Sequence, residues 1–357
     1  MLMKGNSYIR HMDRESLEAQ ILEIRAEQGL ERGVPPRILD IRTEEGGSLK
    51  IIVADRAEKS MCLGPGGRII AQLAQNTQKH ITVVAVEEEL VQEHRMRTTI
   101  SRIDEIQEEL NPNQSVFVGR LRKATERRLS GQLIEGFDQL EGPIPAVALS
   151  GGADSCATMI ILGEMGLNPV GLTVKLPKEH ETHRAQDYAG EICQTLNCRH
   201  LVVQQAQEFD AILGRTKQGR IHPCGECHDL ILAQALQATR AHDLDILVTG
   251  ELLPTGRQAI VKRENVLLIH LPAALSLTKY LTSSICRNHG FDITSSRFGC
   301  ALVRQSHKMG WRGVRPSIYR VLRETQANVL TPGQSITYIR SILEPLLTMY
   351  DEGGQSG

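Results

Sequence analysis

The stretch Ser150-Gly151-Gly152-Ala153-Asp154-Ser155 decides how the central part of the chain folds. It follows an apolar run at residues 146–149 and precedes a run with helical spacing. Two glycines let the backbone approach an oxyanion closely, and the first N–H groups of a helix have no partner within that helix. The stretch therefore predicts a phosphate-binding turn between a strand and a helix, with a glycine turn capped by a serine as the plainer alternative.

The side chains of this turn also suit a nucleotide. Ser150 and Ser155 offer hydroxyl donors, whereas Asp154 places a carboxylate beside the expected phosphates. Because like charges repel there, we expect a cation between them, and Asp154 is the candidate ligand for Mg²⁺. The turn therefore predicts nucleotide phosphates bound together with Mg²⁺.

Short apolar runs alternate with helical stretches after this turn. We expect further strands at residues 169–174, 201–203, 246–248 and 266–269. Helices between consecutive strands are what parallel crossovers require. The sequence thus predicts an α/β fold with a doubly wound parallel sheet.

The first ninety residues form a different pattern. A helix, strands at residues 37–42 and 49–54, two helices around Gly64-Pro65-Gly66-Gly67 and a strand at 81–86 give the order α-β-β-α-α-β. This order and its glycine loop resemble the prokaryotic type of KH domain. The resemblance implies an α+β unit in which Gly64, Gly67 and Arg68 contact single-stranded RNA. A purely structural corner between two helices is the alternative.

Changes in pattern give the expected organisation of the 357 residues. We expect a KH-like domain at 1–90, a charged helical linker at 91–142, a nucleotide-binding domain at 143–285, and a basic helical region at 286–357. No apolar run is long enough for a membrane span, and the N-terminal segment is too charged for a signal peptide. We therefore expect a cytoplasmic protein without membrane contact.

Eight cysteines in a reducing compartment favour metal binding, catalysis or burial over disulfides. Cys224 and Cys227 form a Cys-x-x-Cys pair, and Cys300 follows in Phe298-Gly299-Cys300. Three thiolates suit a [4Fe–4S] cluster with one open iron better than structural zinc, which normally takes a fourth protein ligand. A redox pair, or a zinc site completed by His222 or His228, remains an alternative. Cys156 and Cys193 are expected to be buried, and no chemistry is assigned to Cys62, Cys198 or Cys286.

Positive charge is concentrated rather than spread, because the formal net charge of the chain is only −1. Residues 295–323 carry no acidic residue and seven basic ones: Arg297, Arg304, Lys308, Arg312, Arg315, Arg320 and Arg323. Trp311 could stack on a base there, whereas Phe298 is expected in the core. A smaller basic run at residues 120–128 is diluted by Glu126. The longer stretch predicts RNA contacts by Arg304, Lys308, Arg312 and Arg315.

Ser-Gly-Gly-x-Asp-Ser is similar to the signature of PP-loop ATP pyrophosphatases, which adenylate a substrate and release pyrophosphate. Many relatives have Lys where this chain has Ala153, so another cation is expected to assist. Thr249-Gly250-Glu251 resembles the second glycine turn of the family's adenylate site. Residues 171–175, with Thr173, lie where relatives contact adenine.

A PP-loop followed by Cys-x-x-Cys and one distant cysteine resembles the iron–sulfur tRNA thiolation enzymes that make 2-thiocytidine or 2-thiouridine. The resemblance covers roughly residues 145–310. It implies tRNA as substrate, ATP, Mg²⁺ and a [4Fe–4S] cluster as cofactors, sulfide or a persulfide carrier as sulfur donor, and a homodimer. It also implies that Asp154, Cys224, Cys227 and Cys300 carry the chemistry. A PP-loop enzyme acting on a small molecule or a protein, and an RNA-binding protein with a retired ATP site, are the alternatives.

Overall fold

A computed structural model describes residues 13–30, 34–44, 47–176, 183–204, 207–293 and 297–353. The first part of the basic stretch, at residues 295–296, and the first twelve residues of the N-terminal segment lie outside this range. The chain divides into two compact units, Met1–Gln92 and Glu93–Gly357. No helix among the described residues is long and apolar enough to cross a membrane.

The first unit contains the element order that the sequence predicts. Its elements are α1 (Arg14–Glu27), β1 (Ile38–Thr43), β2 (Leu49–Val53), α2 (Arg56–Leu63), α3 (Arg68–Thr77) and β3 (Ile81–Ala85). Strand β2 pairs antiparallel with β1 and parallel with β3. Leu17, Ile21 and Ile24 recur on one face of α1 and are buried with Ile69 and Leu73 of α3. These apolar faces form the core of the unit.

The second unit contains the larger sheet. Its helices are α4 (Val86–Ile106, which begins in the first unit), α5 (Pro112–Leu129), α6 (Ala153–Glu164), α7 (His183–Thr195), α8 (Glu208–Lys217), α9 (Cys224–Ala241), α10 (Leu271–Ala274), α11 (Lys279–Asn288), α12 (Ala301–His307), α13 (Trp311–Gln326) and α14 (Pro332–Gly353). Its strands are β4 (Ala146–Ala148), β5 (Val170–Val174), β6 (His200–Val203), β7 (Ile246–Thr249), β8 (Ile260–Arg263) and β9 (Val266–His270).

The six strands lie in the order β6-β5-β4-β7-β9-β8. All neighbouring pairs are parallel except β8 and β9, which form an antiparallel hairpin at the edge. The α/β fold with a parallel sheet is therefore confirmed, and the five expected strands are present within one or two residues at each end. Strand β8 was missed because two of its four residues, Lys262 and Arg263, are charged.

The strand order sets the position of the site. Strand β4 has β5 on one side and β7 on the other, so the chain connections leave β4 and β7 in opposite directions. In open α/β sheets this reversal opens a crevice at the carboxyl ends of the two strands. The turns after β4 and β7 therefore border the same crevice.

The charged helical segment ahead of the sheet is part of the main core. Asn111 caps α5 by accepting a bond from the backbone N–H of Gln114 at 2.9 Å, and Pro112 follows at the first helical position. Phe117 and Leu121 of α5 are fully buried in the cluster that includes α6 and the sheet. This segment packs against the sheet and is not a free connection between domains.

Candidate active site

The predicted phosphate turn joins β4 to α6. Gly151 has a φ of 75°, which favours glycine, and Gly152 is the N-cap of α6. The Ser155 hydroxyl donates to the Gly152 carbonyl at 3.0 Å and lies 3.2 Å from the Ser150 hydroxyl. The backbone N–H of Ser150 donates to the Ser155 hydroxyl oxygen at 3.3 Å. These bonds brace a tight loop at a helix N-terminus, which is the arrangement that binds phosphate groups.

Asp154 is held by two side chains of α11. The Lys279 ammonium group forms an ion pair with one carboxylate oxygen, and the Thr282 hydroxyl donates to the other at 2.6 Å. Only 26% of the Lys279 side chain and 24% of the Asp154 side chain are exposed. Burial alone lowers the pKa of Lys279, but the Asp154 carboxylate outweighs burial, so the pKa is raised and the lysine stays charged.

Lys279 supplies the cation that the turn itself lacks at Ala153. The sequence predicts such a cation without identifying it, because Lys279 lies 125 residues from Asp154 along the chain. A signal was available, since Lys279 is the only basic residue between Arg263 and Arg287.

The second glycine turn comes into contact with the first. A Cβ atom on Gly250 would lie 2.7 Å from the Ser155 backbone nitrogen and 2.8 Å from the Asp154 carbonyl carbon. Only glycine therefore fits at this position without moving the start of α6. The two motifs that the sequence singled out separately thus form the two sides of one site.

The two threonines predicted to contact the nucleotide already have partners. The Thr173 hydroxyl donates to the Leu149 carbonyl at 2.8 Å and lies 2.8 Å from His200 Nε2. The Thr249 hydroxyl lies 2.6 Å from His270 Nδ1. Both threonines are buried. Their hydroxyl groups position the ends of β5 and β7 at the crevice.

The three candidate cysteines come together from two separate parts of the chain. Cys224 begins α9, Cys227 lies one turn later, and Cys300 is the N-cap of α12. Burial, together with the nearby Cys300 and Cys224, raises the pKa of Cys227 to about 12. Burial also raises the pKa of Cys224, and Cys300 adds to that effect. The three thiols therefore lie close enough to interact electrostatically, with Cys300 exposed.

Two arginines hold this cysteine site. Arg320 of α13 forms a hydrogen bond with Cys224 and an ion pair with Glu324 at 2.8 Å; its charge lowers the Cys224 pKa against the effect of burial. Arg215 of α8 forms a two-point ion pair with Glu226, which lies between the two cysteines of the pair. The sequence does not predict the contact of Arg320 with Cys224 or that of Arg215 with Glu226, because both contacts depend on packing between helices. Arg320 was visible only as one of seven basic residues.

The two histidines beside the cysteine pair are engaged elsewhere. His222 Nε2 lies 3.1 Å from the Ser317 hydroxyl, and His228 Nε2 lies 3.2 Å from a Glu251 carboxylate oxygen. In the part of the chain that the structure describes, no three His, Cys, Asp or Glu side chains converge on a single metal position.

A polar chain connects the cysteine site to the phosphate turn. His228 follows Cys227 on α9, and its partner Glu251 follows Gly250, whose backbone touches α6. The other Glu251 oxygen is 3.7 Å from His270 Nδ1. A second connection runs through charges, since Glu324 pairs with Arg320 and acts electrostatically on Lys279. The two candidate sites are therefore neighbours within the second unit.

The basic C-terminal stretch is mostly exposed. Arg304 donates to the Gly299 carbonyl at 2.6 Å, while Lys308 and Arg312 extend into solvent. The Arg315 guanidinium lies 5.5 Å from the centre of the Tyr319 ring. Trp311 is 60% exposed, and Phe298 is buried, as expected. The side chains of Lys308, Arg312 and Arg315 are therefore open to solvent.

The glycine corner of the first unit has little free positive charge. Gly64, Gly66 and Gly67 all have φ between 65° and 73°, which allows the sharp corner. Arg68 Nε donates back to the Pro65 carbonyl at 3.2 Å, and Lys59 pairs with Glu88 at 2.6 Å. The corner is thus exposed backbone with one nearby guanidinium.

The remaining cysteines follow the structural expectation. Cys62, Cys156, Cys193 and Cys286 are buried, and Cys198 is partly buried. The Cys286 thiol donates to the Ala153 carbonyl at 3.1 Å, which ties α11 to the phosphate turn.

Residues 145–272 match the family described as tRNA methyl transferase HUP domain. The match begins at β4 and ends at α10, so it contains both glycine turns and the cysteine pair. Cys300 and Lys279 lie outside the matched range.

Two proteins of known sequence are similar to parts of this chain. One is the uncharacterized protein MJ1638 of Methanocaldococcus jannaschii, 26% identical over 242 residues that cover 67% of this chain and 90% of that protein. The other is the tRNA-specific 2-thiouridylase MnmA of a Methylobacterium, 34% identical over 139 residues that cover 32% of this chain and 36% of that enzyme. The second similarity therefore covers about a third of this chain and about a third of that enzyme.

Two solved structures are also similar, at low identity. One is the U34-tRNA thiolase NcsA from Methanococcus maripaludis with its [4Fe-4S] cluster: 16% identity, a TM-score of 0.38, and coverage of 66% of this chain and 80% of that one. The other is an NMN synthetase from Francisella tularensis: 14% identity, a TM-score of 0.32, and coverage of 56% and 83%. Neither similarity bears on the reaction.

Proposed function

We propose that the chain is an ATP-dependent tRNA sulfurtransferase. The observation that carries the proposal is the junction of two sites in one unit, where the 3.2 Å contact between His228 and Glu251 joins the three-thiol site to the phosphate turn. An adenylating site alone would fit many PP-loop enzymes. Three thiols beside it would hold an iron–sulfur cluster, through which sulfur could be delivered to replace the oxygen. The 34% sequence identity to a tRNA-specific 2-thiouridylase over 139 residues supports tRNA as the substrate.

The phosphate turn would bind the triphosphate of ATP. The backbone N–H groups at the start of α6 face the phosphates, and Lys279 adds a positive charge beside Asp154. The Asp154 carboxylate has the hard oxygen atoms that Mg²⁺ prefers as ligands. To bind there, Mg²⁺ would have to replace the contact of this carboxylate with Lys279 or with Thr282. Either cation counters the charge that develops when pyrophosphate leaves.

The cysteine site has the donor set of a cluster held by three ligands. Cys224, Cys227 and Cys300 would hold a [4Fe–4S] cluster, and Arg320 places a positive charge beside this anionic group. A cluster held in this way supplies an iron with an open position for sulfur. Because burial raises the pKa values of Cys224 and Cys227, metal binding must release protons from these two thiols.

The reaction we propose has two steps. The exocyclic oxygen of a tRNA pyrimidine attacks the α-phosphate of ATP, and pyrophosphate leaves. The base then carries an adenylated oxygen. Hydrosulfide attacks the carbon that bears this oxygen, loses its proton and displaces AMP. A persulfide carrier would instead deliver its outer sulfur to the same carbon; a second thiol then opens the resulting mixed disulfide, which frees the thiolated base and leaves the carrier as a disulfide with that thiol. Lys279 and the turn stabilise the phosphates in the first step, and the cysteine site lies beside the same crevice for the second.

RNA contacts would come from exposed basic and glycine-rich segments. Lys308, Arg312 and Arg315 are exposed and Arg304 is half-buried; these four residues would meet phosphates, and the exposed ring of Trp311 would stack on a base. The corner at Gly64, Gly67 and Arg68 would contact single-stranded RNA as the glycine loop of a KH domain does. The weak charge at this corner predicts that it contributes less affinity than the C-terminal stretch. As with related enzymes, we propose that the chain acts as a homodimer.

The test is anaerobic purification followed by analysis of iron, zinc and acid-labile sulfide, together with a reaction assay. Wild type is compared with Cys224→Ala and with Cys198→Ala, which removes a cysteine outside the site. We expect about four irons and four sulfides per chain in wild type and Cys198→Ala, and a large loss in Cys224→Ala. With ATP, sulfide and mixed tRNA, the first two should produce AMP and a thiolated nucleotide. Zinc without labile sulfide would overturn the cluster, and pyrophosphate release without tRNA thiolation would point to another substrate.

A further inference from the structure

Helix α5 carries a basic face that the candidate active site does not use. Arg120, Lys123 and Arg127 lie three and four residues apart, so they share one side of the helix. They line an open cleft of about 420 Å³ together with Ser130, Gln132 and Phe137. The sequence shows this run only as a basic segment diluted by an acidic residue.

One aromatic ring fixes two of these cations. The Arg127 guanidinium lies 3.9 Å from the centre of the Phe137 ring, and the Arg120 guanidinium lies 5.1 Å from it. Arg127 also donates to the Glu135 carbonyl. A guanidinium held against a ring keeps its remaining N–H donors in a fixed plane. The cleft therefore presents donors that are ordered before any ligand binds.

The loop that carries Phe137 is anchored at both ends. Ile134 is buried in the main core, and the backbone N–H of Leu140 donates to the Gly166 carbonyl at 2.8 Å. Gly166 has a φ of 72°, and a side chain there would collide with the Asp138 carbonyl. At the end of α5, Arg128 Nε donates to the Leu275 carbonyl at 2.9 Å. Helix and loop are thus both tied to the body of the unit.

The charges of the cleft are not satisfied by the protein. Two carboxylates, Glu126 and Asp138, also line it, and Glu126 lies 3.7 Å from Arg122 outside the lining set. Among the described residues, no carboxylate lies within ion-pair distance of Arg120, Lys123 or Arg127. By contrast, Arg97 of α4 forms an ion pair with Glu93 at 2.6 Å. The unpaired fork donors suit phosphate oxygens, which arginine binds at two points.

We propose that this cleft, defined by Arg120, Lys123, Arg127 and Phe137, binds the phosphate backbone of RNA at a place separate from the active site. The proposal rests on the proposed function insofar as the RNA is tRNA. Donors of this kind contact phosphates and sugars and do not read base edges. The cleft therefore adds affinity and sets the position of the RNA without selecting its sequence.

The experiment measures binding of mixed tRNA and of an RNA duplex of about 20 base pairs to the full-length protein, from about 50 to about 300 mM salt. Arg120→Gln/Arg127→Gln should reduce the slope of log Kd against log salt by about 1.5 and weaken binding at low salt by about tenfold, on both RNAs. Lys123→Glu, on an exposed side chain that the fold does not need, should weaken binding in the same way. Phe137→Leu should weaken binding but leave the slope unchanged, because the charges remain. Arg97→Gln is the matched control and should behave as wild type.

The outcomes separate this proposal from the proposed function. If wild type binds tRNA and neither the double variant nor Lys123→Glu changes affinity or slope, the cleft proposal is wrong and the function stands. If only the duplex binds, in a manner that depends on Arg120 and Arg127, the cleft proposal stands and tRNA fails as substrate. If neither RNA binds, or if an acidic peptide competes better than RNA, the cleft is not an RNA site.

Discussion

Lys279 forms an ion pair with Asp154 although 125 residues separate them in the sequence. The pair brings a lysine of α11 to the turn between β4 and α6. It also explains how a turn with Ala153 and an acidic residue can accept a polyphosphate. The charge comes from α11, and the backbone donors come from α6.

Loss of the Lys279 charge should reduce catalysis more than folding. In Lys279→Ala we expect ATP-dependent AMP formation to fall about 100-fold or more, as for the loss of other groups that stabilise transition-state charge. The double variant Lys279→Ala/Ala153→Lys should recover part of the rate, because it returns a cation to the turn. Lys79→Ala, on an exposed lysine of the first unit, serves as control. A Lys279→Ala enzyme with nearly wild-type activity would contradict the assigned role.

Gly250 should tolerate no side chain. In Gly250→Ala the new methyl group would meet backbone atoms of Ser155 and Asp154 at less than 3 Å, so the start of α6 must shift. We expect ATP affinity to fall at least about tenfold, measured by titration calorimetry, because the site depends on those backbone donors. Gly163→Ala lies on the same helix with open space around it, and should keep wild-type affinity. Equal affinities for the two variants would show that the turns do not need this contact.

Arg320 should activate Cys224 in the metal-free protein. Its positive charge lowers the pKa of the Cys224 thiol, so Arg320→Gln should raise that pKa and reduce the thiolate fraction. We expect alkylation of Cys224 by iodoacetamide near pH 8 to slow about threefold to tenfold, which corresponds to a pKa change of up to about one unit. Peptide mass spectrometry measures the rate, with Cys198 in the same protein as internal reference. A faster reaction at Cys224 would mean that Arg320 shields the thiol rather than activating it.

His307 should make the protein less stable in mild acid. Burial lowers the pKa of His307 to about 4, with the nearby His222 and Arg304 contributing. The unfolded chain takes up a proton below about pH 6.5, whereas the folded protein resists it until about pH 4. Stability is therefore fully present above about pH 6.5 and is lost as the pH falls toward 4, by up to about 3 kcal/mol.

The variant His307→Gln isolates this effect. Urea unfolding at about pH 7 and about pH 4.5 should show a smaller loss of stability in His307→Gln than in wild type, whatever the stability of the variant at pH 7. His242→Gln removes an exposed histidine and should keep the wild-type pH dependence. If the three proteins lose equal stability on acidification, His307 is not the group that titrates.

Much of the fold was predictable because its signals are local. The alternation of apolar strands and helices predicted the parallel sheet, and the order of elements in the first unit followed from periodicity and glycine positions. The hairpin strand β8 was missed because its polar residues hide the pattern. Helix α5 packs into the main core through Phe117 and Leu121. The sequence does not predict this contact, because the charged residues on the outer face of the helix dominate its composition.

By itself, the sequence determined the motifs: the phosphate turn, the glycine turn after β7 and the three candidate cysteines, because each depends on residue types at short spacing. Only the tertiary structure decided which groups serve them. Lys279 and Arg320 reach the site from helices that are distant in sequence. Arg215 reaches it from the preceding helix α8, and the contact between His228 and Glu251 joins α9 to the turn after β7. A charge acts through its distance in space, and that distance is set by the packing of helices against the sheet, which no local pattern encodes.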